Sequence, residues 1–563
     1  MEHTGAWILL ESLRREGVEI LFGYPGGAVI DIYDELPNHP AIRHVLVRHE
    51  QGAVHAADGY ARASGKVGAC LVTSGPGATN TVTGLATAHC DSIPLVVVTG
   101  QVPTKLIGND AFQEVDIVGI TRPCTKHNFL VKDVRRLART IREAFYIARS
   151  GRPGPVLVDL PKDVVQAVAE FVWPEEISLR SYNPSYKPHP NQLRKTVELL
   201  DNASRPLMLA GGGVVLSNAS EPFTELARRL SIPVTATLMG LGAFPATDDL
   251  WFGMVGMHGT FAANMGLNST DVLLCVGGRF DDRVTGKLSA FAPKAKIVHI
   301  DIDPTSIRKN VEVQVPLVGD CRLSLEGLLE ICAVKCADRD WKAKHAAWVA
   351  EMAQWKLEKP LTFHEGKAIK PQQVIRTINE LTGGDAIIST EVGQHQMWTA
   401  QFYDFLAPRN LLTSGGLGTM GYGFPAAIGA QFAFPDRKVV VIAGDGSLQM
   451  NIQELATAVS NRLPIKVVIL NNRHLGMVRQ WQELFYERRY VSTNMEAQPD
   501  FVKLAEAFGA EGYRIEAPDQ LRPVLAKALA SPATTFVDVR VEREENVYPI
   551  VPAGAALDEM LLV

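Results

Sequence analysis

The sequence has little of what marks a secreted, membrane-embedded or nucleic-acid-binding chain. Its seven cysteines (Cys70, Cys90, Cys124, Cys275, Cys321, Cys332 and Cys336) are odd in number, scattered and without a CxxC pair. Such usage argues against a disulfide framework and fits a reducing compartment. Cys332 and Cys336 have the spacing of one helix face, where two core thiols outweigh a metal site. No apolar run approaches the roughly 20 residues needed to cross a bilayer. No signal-like or arginine-rich targeting stretch opens the chain, so a cytoplasmic protein is expected. Basic stripes and arginine-rich tails are missing, and the net charge is −5, so neither nucleic acid nor a membrane is an expected partner. A short internal repeat is absent, and so is a clean GxGxxG. Gly211-Gly212-Gly213 follows an apolar run, but its spacing departs from the dinucleotide fingerprint.

What is present is an ordinary globular composition at a length beyond one core: 563 residues, 46% hydrophobic and 21% charged. Short apolar runs alternate with amphipathic ones, the pattern of doubly wound α/β domains built on parallel sheets. Three such domains are expected, at 1–173, 191–336 and 370–541, with a tail at 542–563. A proline-bearing stretch (174–190) reads as a linker, and a charged, tryptophan-bearing segment (337–360) joins the second domain to the third. The first and third domains share a layout without a visible sequence match.

The most specific local signal is Gly444-Asp445-Gly446, with Asn471-Asn472 one helix-length gap later. The spacing predicts a strand at 439–443, an amphipathic helix from near Ser447 and a second strand at 466–470. Asp445 and Asn472 then meet at the carboxyl edge of a parallel sheet. A carboxylate, an amide oxygen and a backbone carbonyl suit Mg²⁺, which takes its remaining oxygens from water and a diphosphate. The glycines allow backbone amides to approach phosphate, and the helix start adds its positive pole. This pattern resembles the signature of thiamine-diphosphate enzymes. The resemblance implies a metal held by Asp445, Asn472 and the carbonyl of His474.

Further stretches widen the likeness: Tyr24-Pro25-Gly26-Gly27, Glu50, Ser74-Gly75-Pro76-Gly77 with Asn80, and Ala111-Phe112-Gln113-Glu114. Asp159-Leu160-Pro161-Lys162-Asp163, Glu391 to Met397 and Gly415 to Gly421 add to it. Together they resemble the acetohydroxyacid synthase catalytic (large) subunit, over essentially the whole chain. On sequence alone Glu50 reads first as a solvated helix-start glutamate favoured by the dipole. The resemblance makes it the proton carrier of the cofactor's pyrimidine ring, with Gln113 and Lys162 as further catalytic residues. Val392, Gly393, Gln394, His395, Gly418, Met420 and Gly444 to Ser447 are implied to bind thiamine diphosphate.

Met477 and Trp481, four residues apart, share a helix face that spacing alone allows to be a core stripe. The resemblance places them, with Phe112 and Arg279, at the substrate. A pocket can weigh the one methylene between 2-ketobutyrate and pyruvate by about 1–3 kcal/mol. FAD is implied at Arg152, Gly211, Gly212, Gly213, His258, Gly277, Arg279, Asp301 and Asp320.

The implied reaction is decarboxylation of pyruvate through the thiamine-diphosphate ylide, followed by transfer to a second 2-keto acid. Pyruvate as acceptor gives 2-acetolactate; 2-ketobutyrate gives 2-aceto-2-hydroxybutyrate, on the route to valine, leucine and isoleucine. A homodimer or larger assembly with shared sites is implied, and a small regulatory subunit is a plausible partner. Pyruvate oxidases and simple 2-keto-acid decarboxylases share the cofactor but not the joint pattern Phe112-Gln113, Arg279 and Met477 to Trp481. Glyoxylate carboligase lacks a glutamate matching Glu50.

Overall fold

Strands that are apolar on both faces must be covered on both faces, and among the described residues three six-stranded sheets with helices packed on them form the frame of this molecule. The computed structural model describes residues 2–335 and 337–563, so Cys336 lies outside the described residues.

The first sheet contains β1 (Ile20–Tyr24), β2 (Arg43–Leu46), β3 (Gly68–Val72), β4 (Leu95–Gln101), β5 (His127–Leu130) and β6 (Pro155–Pro161), in spatial order β2-β1-β3-β4-β6-β5. The second contains β7 (Pro206–Ala210), β8 (Val234–Ala236), β9 (Trp251–Met254), β10 (Val272–Val276), β11 (Lys296–Asp301) and β12 (Val315–Val318), in order β9-β8-β7-β10-β11-β12. The third contains β13 (Ile387–Thr390), β14 (Leu411–Leu412), β15 (Val439–Gly444), β16 (Lys466–Asn471), β17 (Glu511–Ile515) and β18 (Thr535–Arg540), in order β14-β13-β15-β16-β18-β17. Neighbours within all three sheets pair in parallel. Such sheets are buried on both faces, which is why β3, β4, β7 and β10 are apolar without alternation.

The first and third sheets are wound in the same order, the shared layout expected above. The second follows the different order 3-2-1-4-5-6, which places a crevice where the loops after β7 and β10 diverge.

The first and third sheets are joined by α1 (Glu50–Ser64) and α2 (Gly423–Ala433). Both helices are rich in alanine and glycine, so their backbones nearly touch. A Cβ at Gly59 would lie 2.0 Å from the Ala426 carbonyl oxygen, and one at Gly429 would lie 1.8 Å from that of Ala56. Buried charge locks the seam. Arg62 Nε donates to Asp58 Oδ1 at 2.6 Å, its Nη2 to Asp91 Oδ2 at 2.8 Å, and the Tyr422 hydroxyl to Asp58 Oδ1 at 2.6 Å.

One local expectation is corrected. The single amphipathic helix after the glycine turn is three short pieces, Asp445–Leu448, Gln449–Glu454 and Leu455–Ser460, and it starts at Asp445. Asn451 leaves helical geometry (φ −136°, ψ 31°), and its side-chain amide donates to the Gly421 carbonyl at 2.7 Å. A tertiary hydrogen bond thus outweighs helical continuity. The C-terminal segment, which shows no period, still buries Val547, Ile550, Val551 and Leu557.

The seam generates a stability prediction. Gly429→Ala should cost roughly 1–3 kcal/mol by overpacking, read as a lower urea midpoint. Gly366→Ala, where an added Cβ meets nothing within 4 Å, should change little. Equal midpoints for the two variants would contradict the close-packed seam.

Candidate active site

The carboxyl ends of β15 and β16 lie side by side, with Gly444 opposite Leu470, so the loops that follow emerge together. Asp445 is buried there, and its Oδ1 has no hydrogen-bond partner among the described residues. Burial pushes its carboxyl up to about 7, assisted by Asp538 and opposed by Arg540 and by the backbone amide of Asn472. The Asn472 side-chain oxygen accepts from the His474 amide at 3.1 Å, and its nitrogen donates to Gln394 Oε1 at 3.3 Å. Gln394 in turn donates to Gln480 at 2.9 Å. The Asp445, Asn472, His474 and Gln394 positions are thus brought to one place.

Gly444 is fixed by its neighbour, because a Cβ there would lie 2.8 Å from His395 Nδ1. Burial lowers His395 to about 3, so the ring is neutral, and its Nε2 has no partner among the described residues. Glu391 binds the surrounding loops to one another. Its carboxylate accepts from the amides of Gly421 (2.7 Å) and Phe424 (3.0 Å) and from the Ser447 hydroxyl (2.7 Å). Burial pushes it up to about 7. The turn carrying Gly418 and Met420 is thereby held against the 444–447 loop. Sequence reasoning placed Glu391 in a motif but gave it no role, since a buried acceptor of loop amides has no spacing signature.

A cavity of about 330 Å³ opens beside these loops. Val392, Gly393, Gly418, Arg279, Met477 and Trp481 all line it. The last two project from α3 (Gly476–Phe485), which the C-terminal segment clamps: Val547 exchanges two hydrogen bonds with Gln480 (2.8 and 3.0 Å), and Arg479 donates to the Glu544 carbonyl at 3.0 Å. The Met477–Trp481 face therefore borders an opening, not a closed core. The Arg279 guanidinium forms no hydrogen bond or ion pair among the described residues and reaches the cavity with its donors free. Gly415 and Gly416 also line the wall, held by Asp91, which accepts from their amides at 3.1 and 2.7 Å. Nothing in the sequence around Asp91 signals that task.

A second cavity, of about 190 Å³, sits at the crevice of the central sheet. Arg152, Gly212, Gly213, Gly277, Asp301 and Asp320 line it, and Arg279 borders both cavities. Arg152 bridges from the first segment, donating to Ser92 at 2.8 Å and to Asp303 at 3.2 Å. Burial pushes Asp301 up to about 6. Two of the expected residues lie elsewhere. Gly211 packs against the neighbouring loop, where a Cβ would come within 2.3 Å of the Gly277 carbonyl oxygen. His258 lines the larger cavity, with Nδ1 3.1 Å from the Pro549 carbonyl oxygen.

Glu50 begins α1, and its Oε2 accepts from Asn80 at 2.9 Å. Lys162 donates to the Gly27 carbonyl at 3.0 Å. Gln113 has a positive φ of 60°, and Phe112 beside it is 88% exposed. Glu50, Phe112, Gln113 and Lys162 line neither cavity of their own chain. Exposed apolar side chains accompany the expected residues of both segments: Tyr24, Leu46 and Phe112 in the first, Leu417, Val478 and Tyr486 in the third.

Comparison with known proteins agrees along the whole length. The thiamine pyrophosphate enzyme N-terminal TPP binding domain matches residues 3–120, the central domain 193–328 and the C-terminal TPP binding domain 391–539. The acetolactate synthase large subunit of Haemophilus influenzae is 50% identical over 99% of this chain and 98% of its own. The acetolactate synthase isozyme 3 large subunit of Escherichia coli is 50% identical with the same coverage. Acetolactate synthase 1, chloroplastic, of Nicotiana tabacum is 49% identical over 99% of this chain and 84% of its own. With three matching domains in order and half of all residues shared from end to end, the chain belongs to the acetolactate synthase large-subunit family of thiamine pyrophosphate enzymes.

Proposed function

We propose that this chain is a carboligase that joins the two-carbon unit left by decarboxylation of pyruvate to a second 2-keto acid. The single observation that carries the reading is the cavity where the unpaired Arg279, the Met477–Trp481 face and the Val392–Gly393 and Gly418 loops converge. Pyruvate as acceptor gives 2-acetolactate, and 2-ketobutyrate gives 2-aceto-2-hydroxybutyrate.

The residues present fit the implied groups. A buried carboxylate oxygen without a partner (Asp445 Oδ1), an adjacent amide oxygen (Asn472) and a carbonyl (His474) form a hard donor set suited to Mg²⁺. The cation would supply the positive charge that burial of Asp445 leaves lacking and would anchor a diphosphate beside Gly444, Gly446 and Ser447. Thiamine diphosphate, when bound, supplies the carbon nucleophile and electron sink that 2-keto-acid decarboxylation requires. Val392, Gly393, Gln394 and His395 would seat its diphosphate end, and Gly418 and Met420 its aminopyrimidine.

Glu50 would hold and return a proton at the pyrimidine ring nitrogen, with Asn80 orienting its carboxylate. The Arg279 fork would take the carboxylate of the second keto acid in bidentate fashion. Gln113 and Lys162 would act from the same side as Glu50. FAD would occupy the crevice of the central sheet, between Arg152 and the loops after β7 and β10. Carboligation with loss of carbon dioxide is redox-neutral, so it asks no electrons of that flavin.

A second copy would complete each site, the Glu50 group of one chain meeting the metal loop of the other, with Phe112, 88% exposed in the single chain, covered in the process. Exposed apolar side chains in both segments support that pairing. Relatives named as large subunits make a small partner subunit part of the proposal. No helix among the described residues is long and apolar enough to cross a membrane, and a cytoplasmic location is proposed.

The direct test supplies purified protein with thiamine diphosphate, Mg²⁺, FAD and equal pyruvate and 2-ketobutyrate. Both acetohydroxy acids should form; acetaldehyde, or acetyl phosphate with peroxide, would move the chain to the decarboxylase or oxidase branch. Glu50→Gln should bind cofactor yet lose about 10²–10⁴-fold in kcat, and a near-normal rate would remove its proton role. Asp445→Ala should lose Mg²⁺-dependent retention of thiamine diphosphate on gel filtration; retention equal to the unaltered protein would take Asp445 out of the metal site. Trp481→Leu should lower the 2-ketobutyrate preference by about tenfold or more, as a contact worth roughly 1–3 kcal/mol allows. An unchanged product ratio would clear Trp481 of that duty.

A further inference from the structure

Glu454 is a carboxylate of the third segment, fully buried and without a cation opposite it. Its oxygens accept from the backbone amide of Arg48 at 3.0 and 3.2 Å and from the Thr457 hydroxyl at 2.7 Å. The Arg48 guanidinium turns away, donating to the carbonyls of Leu46 and Val47. Burial raises Glu454, and the amides of Arg48 and His49 partly oppose the shift.

Those amides immediately precede Glu50. The carboxylate therefore reaches across from the third segment to the start of α1. End-capping alone does not explain it, because His49 is already the local cap: its Nδ1 accepts from the Gln51 amide at 3.1 Å. The first turn is shaped around the intruding side chain. Gly52 stands where better helix formers would serve, and a Cβ there would lie 2.5 Å from Glu454 Oε1. Asn80 holds the Glu50 carboxylate from within the first segment, while Glu454, from the third, holds the backbone two residues before it at Arg48. The segment that ends at Glu454 begins at Asp445, so the strap is anchored at the metal-loop end.

We infer that Glu454 is a positioning residue for Glu50: it fixes the helix start from which the proton-carrying carboxylate projects. This rests on the reading of Glu50 given above. Small misplacement of a proton-transfer group lowers turnover without weakening ground-state binding, which separates positioning from a general structural role. Glu454→Gln keeps the shape but can accept at only one of the two oxygen positions. Gly52→Ala attacks the same contact from the other side, and the clash falls on one side chain and not on backbone, so the variant should fold.

The test uses the holoenzyme of both variants, with Glu50→Gln beside them. Three quantities are measured: the rate of hydrogen–deuterium exchange at the reactive carbon of bound thiamine diphosphate, by acid quench and NMR; the cofactor Kd; and kcat with KM for pyruvate. Exchange and kcat should fall about 10- to 100-fold in Glu454→Gln and Gly52→Ala, with Kd and KM held within about twofold. Exchange at the unaltered rate in both variants overturns the inference, as does loss of cofactor affinity in parallel with exchange. Slow exchange in Glu50→Gln alone fails this inference and leaves the Glu50 reading standing. Unaltered exchange in Glu50→Gln fails that reading itself.

Discussion

Close approach of α1 and α2 is the constraint on which the rest of the architecture depends. Backbones that meet across Gly59 and Gly429 leave no room for side-chain adjustment, so the first and third sheets are fixed relative to one another. The charges at this seam are buried, and each is met. Arg62 is shared between Asp58 and Asp91, while Asp91 spends its remaining acceptor capacity on the amides of Gly415 and Gly416. A helix contact in the interior is thereby coupled, through one carboxylate, to the wall of the cavity.

Buried carboxylates recur as the means by which loops are held. Glu391 gathers the 418–421 turn, the start of α2 and Ser447; Glu454 grips the start of α1; Asp91 holds the glycine wall. In each case the acceptor belongs to one loop or segment and the amides to another. Removing such a group would leave several buried donors unsatisfied, which costs more than the bonds themselves contribute. Asp445 departs from this pattern. It is as buried as the others, yet its Oδ1 has no hydrogen-bond partner among the described residues.

Much of the fold was legible in the sequence because parallel strands are apolar without alternation and are punctuated by glycine turns; β3, β10 and β15 were readable for that reason. The placement of Asp445 next to Asn472 followed from one crossover. The broken helix after Asp445 was not readable, because the Asn451–Gly421 hydrogen bond that breaks it joins residues 30 apart. The same holds for the C-terminal segment, whose buried Val547 and Val551 have no period of their own and are placed by Gln480 of α3 and by the Met257 carbonyl. Arg279, Met477 and Trp481 came from resemblance, and the structure gathers them at one cavity. Gly211 was readable as a glycine after a strand but not as a packing glycine, since its partner, Gly277, is remote in sequence.

In the function proposed, the carboligase site is divided between two copies of the chain. Complementation tests it most directly. Glu50→Gln and Asp445→Ala chains are each purified and assayed for acetohydroxy acid formation with thiamine diphosphate, Mg²⁺ and FAD, then unfolded, mixed and refolded together. A divided site predicts two nearly inactive parents and recovered activity in the mixture, because a mixed pair holds one site with neither lesion. Two inactive parents that stay inactive when mixed, with mixed pairs shown to form, would contradict it and place Glu50 and Asp445 in the same site of one chain.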